Sequence, residues 1–178
     1  MSERFHQGSE QLRLFSTTDL LTGARCRSEL EPSLEKISRR ACDCDVRLSC
    51  LAFSVQGLRA INASLGRAKG DEVLQQLVAR VRELLHANDE LFRIGGNEFL
   101  MLLWDQPLES ARTTAERIRQ VVKETLLPEG NGSAPGLALN AGVSLLASND
   151  AGGRAMVSRV KLALHQSRGL GANQVVVR

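Results

Sequence analysis

The sequence predicts an α/β domain of the α+β sandwich kind, with a central mixed β-sheet flanked by helices. Three observations carry this. Residues 47–55 (RLSCLAFSV) are apolar on both faces, so they belong in the middle of a sheet. Residues 91–104 (LFRIGGNEFLMLLW) set two apolar runs either side of a Gly-Gly-Asn break, the pattern of a β-hairpin. Two long stretches, 71–86 and 108–126, repeat apolar residues at helical spacing and supply amphipathic helices between the strands.

Taken in order, residues 1–16 carry no strong pattern and read as a leader or linker segment, with Leu12, Leu14 and Phe15 placed to end a helix arriving from upstream. Residues 17–178 then read as one domain. Asp19-Leu20-Leu21-Thr22-Gly23 is a polar-apolar turn. From Ser28, the spacing of Leu30, Leu34 and Ile37 predicts a helix. Either Ser28 and Glu31 form a capping box or Pro32 opens the helix, and both readings stay open. Arg39, Arg40 and the CDCD stretch read as a connecting loop with a solvated charge cluster. After the 47–55 strand, Gly57 and Leu58 lead into a short helix through Ile61 and Leu65, and 66–70 makes a turn. The 71–86 helix presents Val73, Leu74, Leu77, Val78, Val81, Leu84 and Leu85 as one core stripe.

Beyond the hairpin, the 108–126 helix turns Leu108, Ala111, Ala115, Ile118 and Val122 inward, and 128–136 is a Pro- and Gly-rich loop. Leu137, Leu139, Ala141, Val143 and Leu145 alternate as a half-buried strand. A helix over 153–167, with Met156, Val157, Val160 and Leu164 inward, and a strand over 174–177 close the chain. No internal repeat is present.

Bulk properties narrow the function classes. At 178 residues the chain suits one domain with a sizeable core. A net charge of +3, from 23 Lys+Arg against 20 Asp+Glu, is too small an excess to indicate nucleic-acid binding. Aromatic residues make up 3% of the chain, which argues against a base-stacking platform. No apolar run has the length of a membrane span and the N-terminus lacks a signal-peptide core, so a cytoplasmic protein with no membrane span is expected. Cys42 and Cys44 stand one residue apart, which is not zinc spacing, and no His lies near. Together with Cys26 and Cys50 they are expected to be free thiols.

The hairpin carries the functional signal. Gly95 and Gly96 leave room for an incoming group, and Asn97 and Glu98 follow at the tip or the start of the return strand. The segment RIGGNEF resembles the RxGG(D/E)EF signature of GGDEF domains, the diguanylate cyclase family. DLLTG at 19–23 resembles the family's DxLTG entry motif, and ALHQSRGLGANQV near the end resembles its ALYxAKxxGRN pattern. The resemblance spans 19–177. It implies the GGDEF fold, similar to the palm of nucleotidyl cyclases and polymerases. It also implies an activity that joins two GTP molecules into cyclic di-GMP, each 3′-hydroxyl attacking the other's α-phosphate. Such chemistry relies on Mg²⁺ held by carboxylates at the end of the first strand and at the third and fourth signature letters.

This sequence departs from that pattern where the chemistry lies. Ser54 stands at the strand-end Asp position and Asn97 at the third signature letter. Of the signature loop Gly95, Gly96, Asn97, Glu98 and Phe99, only Glu98 remains as a side-chain metal ligand, with the Val55 carbonyl as a weak backbone one. Ser54 and Asn97 are neutral and cannot serve as a general base at neutral pH, a loss of ~10²–10⁴-fold in rate by itself. Asn62 and Asp71 match the guanine-binding pair, a carboxylate being able to accept from both guanine N–H groups. The alternative has Asp71 capping the long helix and Asn62 facing solvent. Backbone amides at Gly57, Leu58 and Arg59 match the phosphate loop, and Arg168 keeps the charge of the family's Lys, whereas Ala172 loses that of its Arg. At the inhibitory RxxD site the chain reads His86-Ala87-Asn88-Asp89. His86 lacks the guanidinium fork and reads as a helix C-terminal residue favoured by the dipole.

The resemblance therefore implies a degenerate GGDEF domain, catalytically inactive and needing no cofactor, that serves cyclic di-GMP signalling as a regulatory or nucleotide- and partner-binding module. Its expected partners are GTP or another guanine nucleotide, other signalling domains, an active GGDEF or EAL protein, or a second copy in a homodimer. One alternative is a weakly active cyclase using Mg²⁺ on Glu98, backbone oxygens and water. The other is a nucleotide-independent scaffold.

Overall fold

The computed structural model describes residues 17–125 and 136–178. The leader at 1–16 and nearly all of the 128–136 loop lie outside the described residues. The strands are β1 (Arg25–Cys26), β2 (Leu48–Gln56), β3 (Glu90–Arg93), β4 (Glu98–Trp104), β5 (Ala138–Leu145) and β6 (Val175–Val177). The helices are α1 (Leu30–Asp43), α2 (Leu58–Leu65), α3 (Arg67–Arg82), α4 (Leu108–Glu124) and α5 (Gly153–Gly169). The strands form one sheet in the order β1-β3-β4-β2-β5-β6. β2 runs antiparallel to both β4 and β5, while β1 lies parallel to β3 and β6 parallel to β5. The mixed sheet and the central place of β2 agree with the sequence reading.

Alternation along β2 separates two cores, because successive side chains point to opposite faces. Leu51, Phe53 and Val55 pack with α2, α3 and α4 through Ile61, Leu77 and Ile118. Leu48, Cys50 and Ala52 pack with α1 and α5 through Leu34, Ile37, Met156 and Val160. Ser54 continues this second row. That parity later decides which helix reaches Ser54.

The structure corrects several local readings. A 3-10 turn at Arg27–Glu29 precedes α1, and Glu29 holds the cap position with no side-chain cap bond, so neither the Ser28–Glu31 box nor Pro32 opens the helix. α1 continues through Arg39 and Arg40 to Asp43, where a loop was expected. Arg40 is held there by stacking over Trp104, 4.5 Å from the ring centroid. The 66–70 turn shrinks to Gly66, whose φ of +87° breaks the chain between α2 and α3. α3 ends at Arg82, so His86 is not a helix C-terminal residue, and Leu84 and Leu85 are half-buried just beyond the helix. β5 is buried on both faces rather than half-buried, since α5 covers Asn140, Gly142 and Ser144. The approach is close. A Cβ on Gly142 would come within 2.5 Å of the Val160 carbonyl oxygen and the Leu164 nitrogen. The two-residue strand β1 was not foreseen. Among the described residues, no helix is long and apolar enough to cross a membrane.

Candidate functional site

The hairpin tip is built by its own backbone and by Arg93. The N–H groups of Ile94 and Gly95 both donate to the Glu98 carbonyl, at 2.9 and 3.2 Å. The Arg93 guanidinium folds back, donating to the Gly96 carbonyl at 2.7 Å through Nη2 and to Asp19 Oδ1 at 2.9 Å through Nη1. Asp19 also accepts from the Thr22 N–H and hydroxyl, at 2.9 and 2.7 Å. The 19–23 and 93–99 segments are thus one hydrogen-bonded unit, 74 residues apart in sequence. Burial pushes the Asp19 carboxyl up, but the bonds from Thr22 and Arg93 outweigh it and hold the group below its ordinary value of 3.8.

Asn97 closes the tip onto β2. The Val55 N–H donates to the Asn97 carbonyl at 3.0 Å, and the Asn97 side-chain Nδ2 donates to the Val55 carbonyl at 2.6 Å. A carbonyl only accepts, so it is the amide nitrogen that faces it.

Ser54 and Glu98 are paired across β2 and β4. Both side chains point to the α1–α5 side, and there Arg168 of α5 meets them. Its Nε donates to Ser54 Oγ at 3.2 Å and its Nη2 donates to Glu98 Oε1 in an ion pair. Asn140 fixes the end of α5 that carries this arginine. Fully buried on β5, it donates to the carbonyls of Ser167 and Gly171 at 2.7 and 2.6 Å and accepts from Gln56 Nε2 at 2.8 Å. The Val55 carbonyl, the Ser54 hydroxyl and one Glu98 oxygen therefore each already accept from a nitrogen donor. Among the described residues, no group of three or more His, Cys, Asp and Glu side chains is placed to hold a metal ion.

On the opposite side of Val55 lies a cleft of about 600 Å³. It brings together Val55, Gly57, Leu58, Arg59, Asn62, Asp71, Gly96 and Asn97, which the sequence singled out from four separate segments. Gly57 takes φ +92° at the start of α2, a backbone that an L side chain rarely adopts. Ala60 and Ile61 both donate to its carbonyl, so the amides of Leu58 and Arg59 have no acceptor within the helix. Asp71 does not cap α3, which begins four residues earlier. It lies in the second turn and lines the cleft together with Asn62, so the capping alternative is set aside. Asn62 is seated directly over Gly70, where an added Cβ would fall 1.8 Å from its Oδ1. Gly70→Ala is therefore expected to leave α3 as stable or up to ~1 kcal/mol more so, because Ala is the better helix former. It should also evict Asn62 from the cleft. A melt paired with a nucleotide titration separates the two effects, expecting an unchanged or higher Tm with at least about tenfold weaker binding.

The remaining residues lie elsewhere. Phe99 is core, its ring stacked on Phe53 with centroids 5.2 Å apart. Arg168 is engaged with Glu98 rather than lining the cleft. At the other end of β3, the Asp89 side chain is fully buried and accepts from the N–H groups of His86 and Trp104, both at 2.8 Å, and from Gln106 Nε2 at 3.0 Å. Its carboxylate fastens the 86–89 loop to the end of β4, while the His86 side chain is largely exposed.

The family described as "Diguanylate cyclase, GGDEF domain" matches residues 16–174. The chain belongs to the GGDEF family. Diguanylate cyclase DgcP of Pseudomonas aeruginosa is 30% identical over 178 residues, covering 99% of this chain and 26% of DgcP. This GGDEF chain thus spans about half or less of the curated relatives it matches. Among solved structures, the GGDEF domain of DgcB from Caulobacter crescentus, in complex with c-di-GMP, superposes with a TM-score of 0.84 at 22% identity, covering 91% of this chain and 95% of that one. Diguanylate cyclase SiaD of Pseudomonas aeruginosa, in complex with its activator SiaC, gives 0.81 at 26% identity, covering 99% and 69%.

Sequence reasoning missed several residues of the GGDEF site. Arg67, Gln56 and Arg93 also line the cleft, and Asn140 sets Arg168. Arg93 stands inside the signature and was visible there. Asn140 was hidden by the expectation that the polar residues of β5 face water.

Proposed function

We propose that this GGDEF domain is catalytically silent and acts in cyclic di-GMP signalling as a regulatory module that binds a guanine nucleotide. The observation that carries the reading is the Asn97 amide donating into the Val55 carbonyl. An N–H group stands where a cation would need an oxygen, and the neighbouring Glu98 is already paired with Arg168. Magnesium demands near-octahedral oxygen ligands with one or two carboxylates. This donor set, one carboxylate beneath a guanidinium with a hydroxyl and a carbonyl both engaged, does not fit it. Among the described residues beside Ser54 and Asn97, the one carboxylate that could act as a general base, Glu98, is paired with Arg168.

Nucleotide binding is the retained half. Asp71 and Asn62 line the same cleft and in this reading take the guanine edge, while the amides of Leu58 and Arg59 with the Arg59 and Arg67 side chains would take the phosphates. Those contacts need no metal. Calorimetric titration with GTP is expected to give weak binding, nearly equal in Mg²⁺ and in EDTA. Tight binding abolished by EDTA would refute the reading. Incubation with GTP and Mg²⁺ or Mn²⁺ is expected to yield no cyclic di-GMP.

One observation favours the weakly active alternative: the Glu98 side chain stays about one-third exposed at the sheet end. Cyclic di-GMP formation that Glu98→Ala abolishes would establish that alternative, with Mg²⁺ as its cofactor. In this reading the domain acts through a partner protein; the similar SiaD, a diguanylate cyclase, was solved in complex with a protein partner, its activator SiaC.

A further inference from the structure

We infer that Glu98 acts on nucleotide binding as an internal competitor: its carboxylate occupies the Arg168 guanidinium that the phosphates of a bound nucleotide need. The residue expected to hold a metal instead holds affinity down. The inference rests on the reading of the neighbouring cleft as a nucleotide site, and it gives Glu98 an effect opposite in sign to that of a metal ligand.

Backbone contacts on both sides set the pair up. The β2–β4 register puts Glu98 beside Ser54, and the Ile94 and Gly95 N–H groups hold the Glu98 carbonyl. On α5, Asn140 grips the carbonyls of Ser167 and Gly171, which bracket Arg168 in sequence. The two charged side chains therefore meet because their backbones are fixed, and not through a chance rotamer.

The bonds of the guanidinium differ in what they do to its charge. Nε donates to the Ser54 hydroxyl at 3.2 Å, a neutral anchor that seats the group without cancelling anything. Nη2 donates to Glu98 Oε1, which neutralises it. Nη1 has no acceptor among the described residues. Both side chains are about one-third exposed, 37% for Arg168 and 34% for Glu98, and an ion pair so placed is weak and open to exchange. A phosphate carries more charge than a carboxylate and takes an arginine fork through two oxygens. Ser54 and Glu98 adjoin Val55 and Asn97, which line the cleft, so phosphates that run past the end of β2 meet this guanidinium. To bind it they must displace Glu98, and a bare carboxylate is then left beside them. Both steps oppose binding.

Calorimetric titration in EDTA with GTP and with guanosine tests this. Glu98→Ala is expected to tighten GTP about fivefold, and Glu98→Gln, which keeps a neutral acceptor, should give a smaller gain of the same sign. The gain should shrink as salt is added, because it comes from a released charge. Guanosine, which has no phosphate, should bind alike to all the proteins. Adding Arg168→Ala to Glu98→Ala should erase the gain, which shows that it passes through the arginine. Melting curves of each variant check that the fold is kept. No tightening by Glu98→Ala, a gain that survives Arg168→Ala, or an equal gain with guanosine overturns the inference. A weakening by Glu98→Ala overturns it too and makes Glu98 a metal ligand. If wild type binds GTP alike in Mg²⁺ and EDTA while Glu98→Ala changes nothing, the inference alone falls; if neither protein binds GTP, the nucleotide reading falls with it.

Discussion

Aspartate placed at both Ser54 and Asn97 is expected to make the melting temperature depend on Mg²⁺, where that of the unsubstituted protein does not. At position 97 the change removes the Nδ2 donor and sets a carboxylate oxygen against the Val55 carbonyl, two acceptors where a 2.6 Å hydrogen bond now stands. Losing that bond and leaving the carbonyl unsatisfied costs about 1–3 kcal/mol. At position 54 the new carboxylate shares a face with Glu98, and a single guanidinium, Arg168, must serve both. In EDTA the double variant should melt lower by roughly 4–8 °C, at about 2–4 °C per kcal/mol for a domain of this size. A divalent cation relieves both repulsions. At a concentration about a hundred times its dissociation constant it returns ~2.7 kcal/mol, enough to restore the melting temperature. GTP binding should become sensitive to EDTA. Cyclic di-GMP should accumulate at least ~10²-fold faster than background once a carboxylate base is back in place. A variant whose melting curve ignores Mg²⁺ would mean that something other than Ser54 and Asn97 keeps metal out of this site.

What the sequence revealed, and what it hid, follows from the range of the interactions involved. β2 was legible because apolar residues occupy both of its faces, Leu48, Cys50 and Ala52 on one and Leu51, Phe53 and Val55 on the other, and α4 because Ala111, Ala115, Ile118 and Val122 repeat at the helical period. Asn62, Asp71, Gly57 and Asn97, singled out through motif spacing, line one cavity. The contacts that decide the chemistry were not legible. Nothing local in Asn97 announces that its amide will turn onto Val55, 42 residues away, and nothing in Arg168 that it will lie on Glu98, 70 residues away. β5 was misjudged for the same reason. Alternation of Leu139, Ala141 and Val143 with Asn140, Gly142 and Ser144 normally marks a wet face, yet α5 covers that face and the polar atoms bond to its helix instead. The extension of α1 past Arg40 likewise rests on Trp104, more than sixty residues further on.

Arg159→Met is expected to be the most destabilising single change among the polar contacts, through the same concealed interface. Arg159 grips Asp150 with both ends of its fork, at 2.7 and 2.6 Å, and also donates to the Leu145 carbonyl at 2.7 Å and Ser144 Oγ at 3.1 Å. The Asp150 side chain is only 7% exposed, so removing the guanidinium strands a buried carboxylate. Breaking such a pair costs ~3–5 kcal/mol, and the partial exposure of Arg159 argues for the lower end, about 3 kcal/mol or roughly 6–12 °C in Tm. The bonds from Arg159 hold the Asp150 carboxyl below its ordinary 3.8, despite burial, and raise the arginine in turn. For a carboxylate with a depressed folded-state pKa, the stabilisation is complete above the unfolded value and is lost as the pH falls through the folded one. The gap between wild type and variant should therefore be constant near neutral pH, begin to narrow by about pH 5 as the stranded carboxylate of the variant takes up its proton, and go on closing as the pH falls through the depressed folded value of Asp150. Adding Asp150→Asn to Arg159→Met should recover part of the loss, since the neutral amide leaves no stranded charge. Because these bonds also seat α5, whose far end carries Arg168, the single variant should loosen the Arg168–Glu98 pair and weaken any phosphate contact there. Melting curves of both variants across pH, with equal stability at pH 7 as the contrary result, decide whether this interface holds the site together.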